Sequence, residues 1–205
     1  MIEGAFPAFR LVADGVSARR GGRIVFAGAS LTLVPGDVFL LRGPNGAGKS
    51  TFLRLLAGRS KPAAGTIRME GGEIAGAATL LGHADGLKAA LTADETLGFW
   101  RDLYGADDAR VSSAAAVMDI GLFRRQRAST LSAGQRRRVA LCRLIISARP
   151  VWLLDEPTAG MDAASVARVI AAIEAHAGSG GSAVIATHEP LGFSRAGIVT
   201  MAEAA

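Results

Sequence analysis

Cysteine is almost missing from this 205-residue chain, where Cys142 stands alone. One thiol cannot close an internal disulfide, which excludes a disulfide-stapled secreted fold and fits a reducing compartment, the cytoplasm by default. Lysine is scarce as well, found only at positions 49, 61 and 88, so the formal net charge of +5 rests on arginines scattered along the chain. Aromatics make up only 5% of residues and are not interleaved with those arginines, so no nucleic-acid platform is expected. Long apolar runs are also lacking. A membrane-crossing helix needs roughly 18 consecutive apolar residues, whereas the best runs, 141–148 and 151–154, are short and split by Arg149-Pro150. Any membrane contact is expected to come through another chain. The opening Met1-Ile2-Glu3-Gly4-Ala5-Phe6-Pro7 has an early acid and neither the basic stretch nor the apolar core of a signal peptide.

Half of the residues are hydrophobic, enough for a sizeable core, and a chain of this length buries about 70% of its unfolded surface on folding. Disorder and fibrous architecture are excluded, and one domain over 1–205 is expected. Alternation at 23–26 and 30–34 reads as antiparallel strands, and the apolar run 38–41 as a buried strand feeding a glycine-rich loop. Phe52, Leu53, Leu55 and Leu56 then recur at helical spacing up to Gly58, a suitable C-cap. Residues 66–69, Gly71-Gly72 and Glu73-Ile74 suggest a hairpin. A helical stretch rich in Ala and charge follows, read as an inserted subdomain over about 84–130. Beyond it come a basic helix at 131–147, a buried strand at 151–154, a helix at 163–175, a turn at 178–182, a strand at 183–187 and a last strand near 198–201. That alternation gives an α/β fold with a parallel core.

Gly43-Pro44-Asn45-Gly46-Ala47-Gly48-Lys49-Ser50 fits the phosphate-loop pattern G-x-x-x-x-G-K-[ST] between a predicted strand and a predicted helix, the context that the pattern requires. Backbone N–H groups would turn inward on phosphates, with Thr51 in the helix's first turn. Lys49 would reach the β and γ phosphates, and the Ser50 hydroxyl would bind Mg²⁺. The run 151–154 ends in Asp155-Glu156, at a strand end where an open parallel sheet places its ligand. Asp155 is suited to hold Mg²⁺ through water, and Glu156 to polarise an attacking water.

Leu131-Ser132-Ala133-Gly134-Gln135, opening the basic helix, resembles the signature of ABC-type ATPases, with Ala133 where that family usually has Gly. By itself the segment also reads as a helix N-cap. The resemblance implies a P-loop NTPase with a RecA-like α/β core, an antiparallel β subdomain and the inserted helical subdomain. It further implies that Ser132, Gly134 and Gln135 close over ATP held by a second copy in a head-to-tail dimer. Thr187-His188-Glu189 looks like the family's switch segment, with His188 supporting Glu156 and the water. Residues 159–162 look like the loop through which the copies sense each other, Asp162 being equally a helix N-cap.

Two positions depart from the wider family. His83 stands where most members have a glutamine that contacts the metal water, and an imidazole offers fewer hydrogen bonds than an amide. Arg20 stands where an aromatic usually stacks on adenine, a role that a planar guanidinium can take. Leu81-Gly82-His83 followed by Gly86-Leu87-Lys88, together with Leu131-Ser132-Ala133-Gly134-Gln135 followed by Arg136-Arg137-Arg138, resembles the ATP-binding subunits of haem exporters in cytochrome c maturation. That likeness implies ATP and Mg²⁺ as cofactors, a transmembrane permease as partner, and a peripheral place on the cytoplasmic face of the inner membrane. The competing readings are a soluble ABC-type ATPase acting on ribosomes, DNA or cofactor assembly, and a P-loop kinase. Fused ATPase halves or a long coiled coil would favour the soluble ATPase, and neither is present. The kinase has no use for the signature segment.

Other residues read as structural. Cys142 is expected to be a small buried helix residue, and His176 to lie on a helix surface. Arg124, Arg125, Arg127 and Arg136 to Arg138 are expected on solvated helix faces, or else against a partner or anionic lipid. Phe99, Trp100 and Tyr104 are either core or a docking groove for the permease.

Overall fold

The computed structural model describes residues 6–201, so the reading of the opening segment lies outside the described residues over 1–5. Two sheets, six α-helices and two single-turn 3₁₀ helices make up the described fold. β1 (Arg10–Arg20), β2 (Arg23–Leu33) and β4 (Ala64–Glu70) form an antiparallel sheet in the order β2-β1-β4. β3 (Val38–Arg42), β5 (Ala78–Leu81), β6 (Val151–Asp155), β7 (Ser182–Ala186) and β8 (Gly197–Thr200) form a parallel sheet in the order β5-β6-β7-β3-β8. The helices are α1 (Lys49–Leu56), α2 (Ile74–Ala77), α3 (Ala93–Tyr104), α4 (Asp108–Val117), α5 (Ala133–Ser147) and α6 (Ala163–Gly178).

Side-chain alternation along the parallel strands divides the interior into two layers. Val151 and Leu153 of β6 and Val184 and Ala186 of β7 face α1 and the antiparallel sheet. Trp152, Leu154, Ala183 and Ile185 face the other way, onto α3 to α6. Both faces are covered, which is why these strands read as unbroken apolar runs. The arrangement is the expected one, an α/β core with a parallel sheet, an antiparallel sheet and a helical part. α3 begins with a capping box in which Glu95 N donates to Thr92 Oγ1 and Thr92 N donates to Glu95 Oε2. α3 and α4 pack on α5.

Several local expectations are corrected. The alternation at 23–26 and 30–34 belongs to one long strand, β2. The 66–69 segment does not pair with 73–74. β4 pairs antiparallel with β1, and Ile74 starts the short helix α2. The turn expected at 178–182 is narrower, because α6 runs through Gly178 and β7 starts at Ser182. His176 is fully buried: Val169, Ala172, Ile173 and His176 form the inward stripe of α6. Its ring stacks on Trp152 at 3.8 Å with 7° between planes, and its Nε2 lies 3.0 Å from Pro150 O. Trp100 is 4% exposed and belongs to the core, with the Arg143 guanidinium over its ring, so the docking alternative fails for this residue. The outward-facing apolar side chains of α3 are Phe99 and Leu103. Cys142 is buried as expected, and burial pushes its thiol far above the ordinary range, where it is inert.

Candidate functional site

The carboxyl ends of β3, β6 and β7 converge on one side of the parallel sheet. β3 runs into the glycine-rich loop, which turns into α1 at Lys49. Gly48, the N-cap of α1, has φ 88°, and a Cβ there would stand 2.6 Å from Phe26 Cδ1 and 2.8 Å from Val25 Cγ1. Only glycine lets β2 lie this close over the loop. Lys49 is largely buried, and its Nζ donates to Gly43 O at 2.7 Å and Pro44 O at 2.9 Å. The ammonium therefore stands at the mouth of the loop, held by its own backbone.

β6 delivers two carboxylates. Asp155 closes the strand and is buried; Glu156 follows with φ 48°, a left-handed conformation that costs a non-glycine residue about 1–3 kcal/mol. Hydrogen bonds hold it there: Glu156 N donates to Ala186 O at 2.8 Å, and Glu156 O accepts from Arg137 Nη2 at 2.9 Å. β7 continues into Thr187 and His188, whose Nε2 lies 3.7 Å from Glu156 Oε1, beyond direct hydrogen-bond reach. Arg42 Nη1 donates to Thr187 O at 3.0 Å and ties that loop back to β3, while Thr158 Oγ1 donates to Glu189 Oε2 at 2.8 Å.

These elements enclose a cleft of about 720 Å³ lined by Asn45, Gly46, Gly48, Lys49, Ser50, Thr51, Asp155, Glu156 and His188, with Arg20 and His83 at the same cleft. Gly43, Pro44 and Ala47 do not line it; the first two act through their carbonyls on Lys49, and Ala47 is buried beneath the loop. Val25 and Arg54 line it too, and the sequence reading missed both. Arg54 lies one helical turn after Ser50, so the spacing of α1 carried the signal. Val25 had none, because its place depends on β2 crossing above the loop.

Ser132, Gly134 and Gln135 lie apart from this cleft. Ser132 caps α5: Gln135 N donates to Ser132 Oγ, and Ser132 N donates to Gln135 Oε1 at 2.8 Å. A Cβ on Gly134 would come within 3.1 Å of Gly160 O, so the first turn of α5 rests against the 159–162 loop. Asp162 is the N-cap of α6, accepting from Ser165 N at 2.7 Å.

Arg137 corrects the expectation of solvated arginines. It is 3% exposed, and burial of its guanidinium lowers its pKa while Asp85 opposes that fall. Arg125 and Arg127 do face solvent. Arg124 is half-buried and pairs with Asp94 at 2.6 Å; Arg138 pairs with Asp119 at 3.3 Å.

A family model described as ABC transporter matches residues 26–159. The chain is similar to the cytochrome c biogenesis ATP-binding export protein CcmA of Rhodobacter capsulatus, 46% identical over 192 residues, which are 94% of this chain and 87% of that protein. With the protein of the same name from a Chelativorans species it shares 48% identity over 189 residues, 90% of this chain and 94% of the relative. Among solved structures, an ATP-binding ABC transporter protein of Pyrococcus furiosus has the same fold, with a TM-score of 0.82, 23% identity, and 94% and 97% of the two chains covered. A bacterial ABC exporter with ATP bound superposes with a TM-score of 0.77 at 26% identity, over 89% of this chain and 35% of that one.

Proposed function

The chain belongs to the ABC transporter family as an ATP-binding subunit, and we propose that it hydrolyses ATP for a membrane export step of cytochrome c biogenesis with haem-related cargo. The observation that carries the reading is the convergence of the Lys49 ammonium, the Ser50 hydroxyl, the two β6 carboxylates and His188 on one cleft at the start of α1. ATP phosphates lie along the loop N–H groups and the α1 N-terminus. Lys49 exchanges two neutral carbonyl partners for phosphate oxygens, a charge-assisted and stronger set of bonds.

The residues fit Mg²⁺. Ser50 and Asp155 bring hard oxygen donors to the cleft, and the described residues contain no cluster of three or more His, Cys, Asp or Glu that could hold a metal ion alone. A cation that takes one or two protein oxygens and completes its shell with phosphates and water suits that donor set. Ser50 and Asp155 would hold it, with His83 beside them, and its chemistry is charge neutralisation on the β and γ phosphates. Glu156 takes a proton from the attacking water, and His188 fixes the water and the Glu156 carboxylate between them. Adenine lies on the Arg20 and Val25 side.

Ser132 and Gly134, remote from their own cleft, close over ATP held by a second copy, so that two chains arranged head to tail make two complete sites. A transmembrane permease supplies the membrane contact, and the pair sits peripherally on the cytoplasmic face of the inner membrane. Lys49→Ala tests the reading. Binding of a fluorescent ATP analogue is expected to weaken about 10- to 100-fold, from loss of one charge-assisted contact set, while the chain still copurifies with its permease from detergent-solubilised membranes. Parent-like nucleotide affinity would rule out the phosphate-loop assignment, and absence of any membrane protein in the parent pull-down would rule out the transport role.

A further inference from the structure

The single guanidinium of Arg137 bridges two loops that the sequence keeps far apart. Its Nη1 donates to Gly82 O at 2.8 Å and to His83 O at 3.3 Å, and lies 3.3 Å from Asp85 Oδ1. Its Nη2 donates to Asp155 O and, at 2.9 Å, to Glu156 O, and its Nε donates to Pro157 O at 3.3 Å. The planar guanidinium thus meets five carbonyls, three from the end of β6 and two from the loop after β5, with the Asp85 carboxylate as a sixth acceptor. The charge is balanced by Asp85, on the same loop as His83. The residue itself belongs to neither loop. It stands on the second turn of α5, whose first turn is the Ser132-Ala133-Gly134 segment and whose other faces carry α3 and α4.

This placement does more than fill a gap in the core. Glu156 keeps a left-handed backbone with both of its peptide groups held, and its carbonyl accepts from Arg137 Nη2 at 2.9 Å and from Ala159 N at 3.4 Å. A shift of the His83 loop or of α5 therefore loads the backbone that aims the Glu156 carboxylate. We propose that Arg137 is the positioning residue that couples the His83 loop and the α5 helix to the Glu156 carboxylate, so that the state of one loop is felt at the other. The inference rests on the ATPase reading above. Lysine, a point charge with three donors at one atom, can keep a cation in the pocket but cannot span both loops.

Hydrogen–deuterium exchange on the full chain, with and without Mg·ATP, separates coupling from mere support. In the parent, nucleotide is expected to protect residues 43–51 directly and residues 82–85 through Arg137. In Arg137→Lys the first protection stays and the second is lost, and turnover falls about tenfold with KM within about twofold, the pattern of a group that acts on the reacting geometry and not on binding. Retention of the 82–85 response in Arg137→Lys overturns the coupling role, as does a parent whose 43–51 segment responds while 82–85 does not. If Arg137→Lys does not fold, Asp85→Asn decides: it keeps shape, removes the balancing charge, and must likewise weaken the 82–85 response, an unchanged response overturning the role. Failure of the ATPase reading looks different, because then the parent shows no protection at 43–51 at all.

Discussion

Both ends of the parallel sheet carry histidine, and they treat it in opposite ways. At the carboxyl end His188 is half exposed, 3.7 Å from a carboxylate whose own backbone is strained, at the rim of an open cleft. At the amino end His176 is sealed between Trp152 and the edge of Phe6, whose ring centroid lies 5.2 Å away, with Nε2 on Pro150 O and Nδ1 without a hydrogen-bond partner. That bare Nδ1 fits a neutral imidazole, and burial lowers its pKa to about 4. Polar groups around it are satisfied locally: Ser182 Oγ donates to Val34 O and Gly36 N donates to Gly181 O. One end of the scaffold is closed chemically so that the other can stand open, with an ammonium, two carboxylates and an imidazole directed at a ligand.

Three experiments bear on that contrast. The largest effect is expected from Glu156→Gln, which leaves the backbone pins intact and removes only the proton acceptor. Hydrolysis should fall about 10²- to 10⁴-fold with nucleotide affinity and melting temperature retained; turnover at the parental rate would assign the base to another group. Trp152→Ala should show the reverse pattern at the closed end. Denaturant unfolding is expected to report a loss of about 3–5 kcal/mol, as for other buried aromatics, with ATP affinity per folded molecule unchanged. If stability survives, the amino end is not the load-carrying one. The third effect is smaller and depends on pH. Because folded His176 takes a proton only near pH 4 while the unfolded imidazole takes it near 6.5, stability is complete above 6.5 and declines as pH falls toward 4. At about 1.4 kcal/mol per pH unit the full loss is roughly 3 kcal/mol. Thermal melts from pH 7 to 4 measure it, and His176→Gln should flatten the slope. An equal slope in both proteins would place the titration elsewhere.

What the sequence made legible is what lies together along it. The phosphate loop and the 151–156 run announce themselves because each places its chemistry within a few consecutive residues of one strand end. Arg137 did not, since its partners lie 18 to 55 positions away and an arginine triplet on a helix normally faces water. His176 was legible in the helical period, because it falls on the inward stripe of α6 with Val169, Ala172 and Ile173, although a polar residue type points to the surface. β1 escaped because its alternation is broken by register shifts between Ala13 and Val16 and again before Ala18 and Arg19. The 66–74 hairpin failed because Gly71-Gly72 marks the turn but not the partner, and β4 pairs with β1, far upstream. In the helical part, aromatic type could not separate Trp100 from Phe99, neighbours on α3 that face core and solvent respectively.

The strand order β7-β3-β8 has a consequence for how the molecule is born. β3, which bears the phosphate loop, has both of its neighbours far along the sequence: Val38 pairs beside Ala183 and Phe39 beside Gly197. During synthesis the loop and its strand leave the ribosome early and wait for some 145 further residues before either flank is covered. Pairings of such long sequence separation form slowly, because chain closure must precede any gain from contact. Through that interval an apolar strand offers two open edges to any neighbour, the circumstance in which nascent chains aggregate. The nucleotide cleft is thus encoded early and assembled late, and it becomes able to hold a ligand only when β7 and β8 have been made.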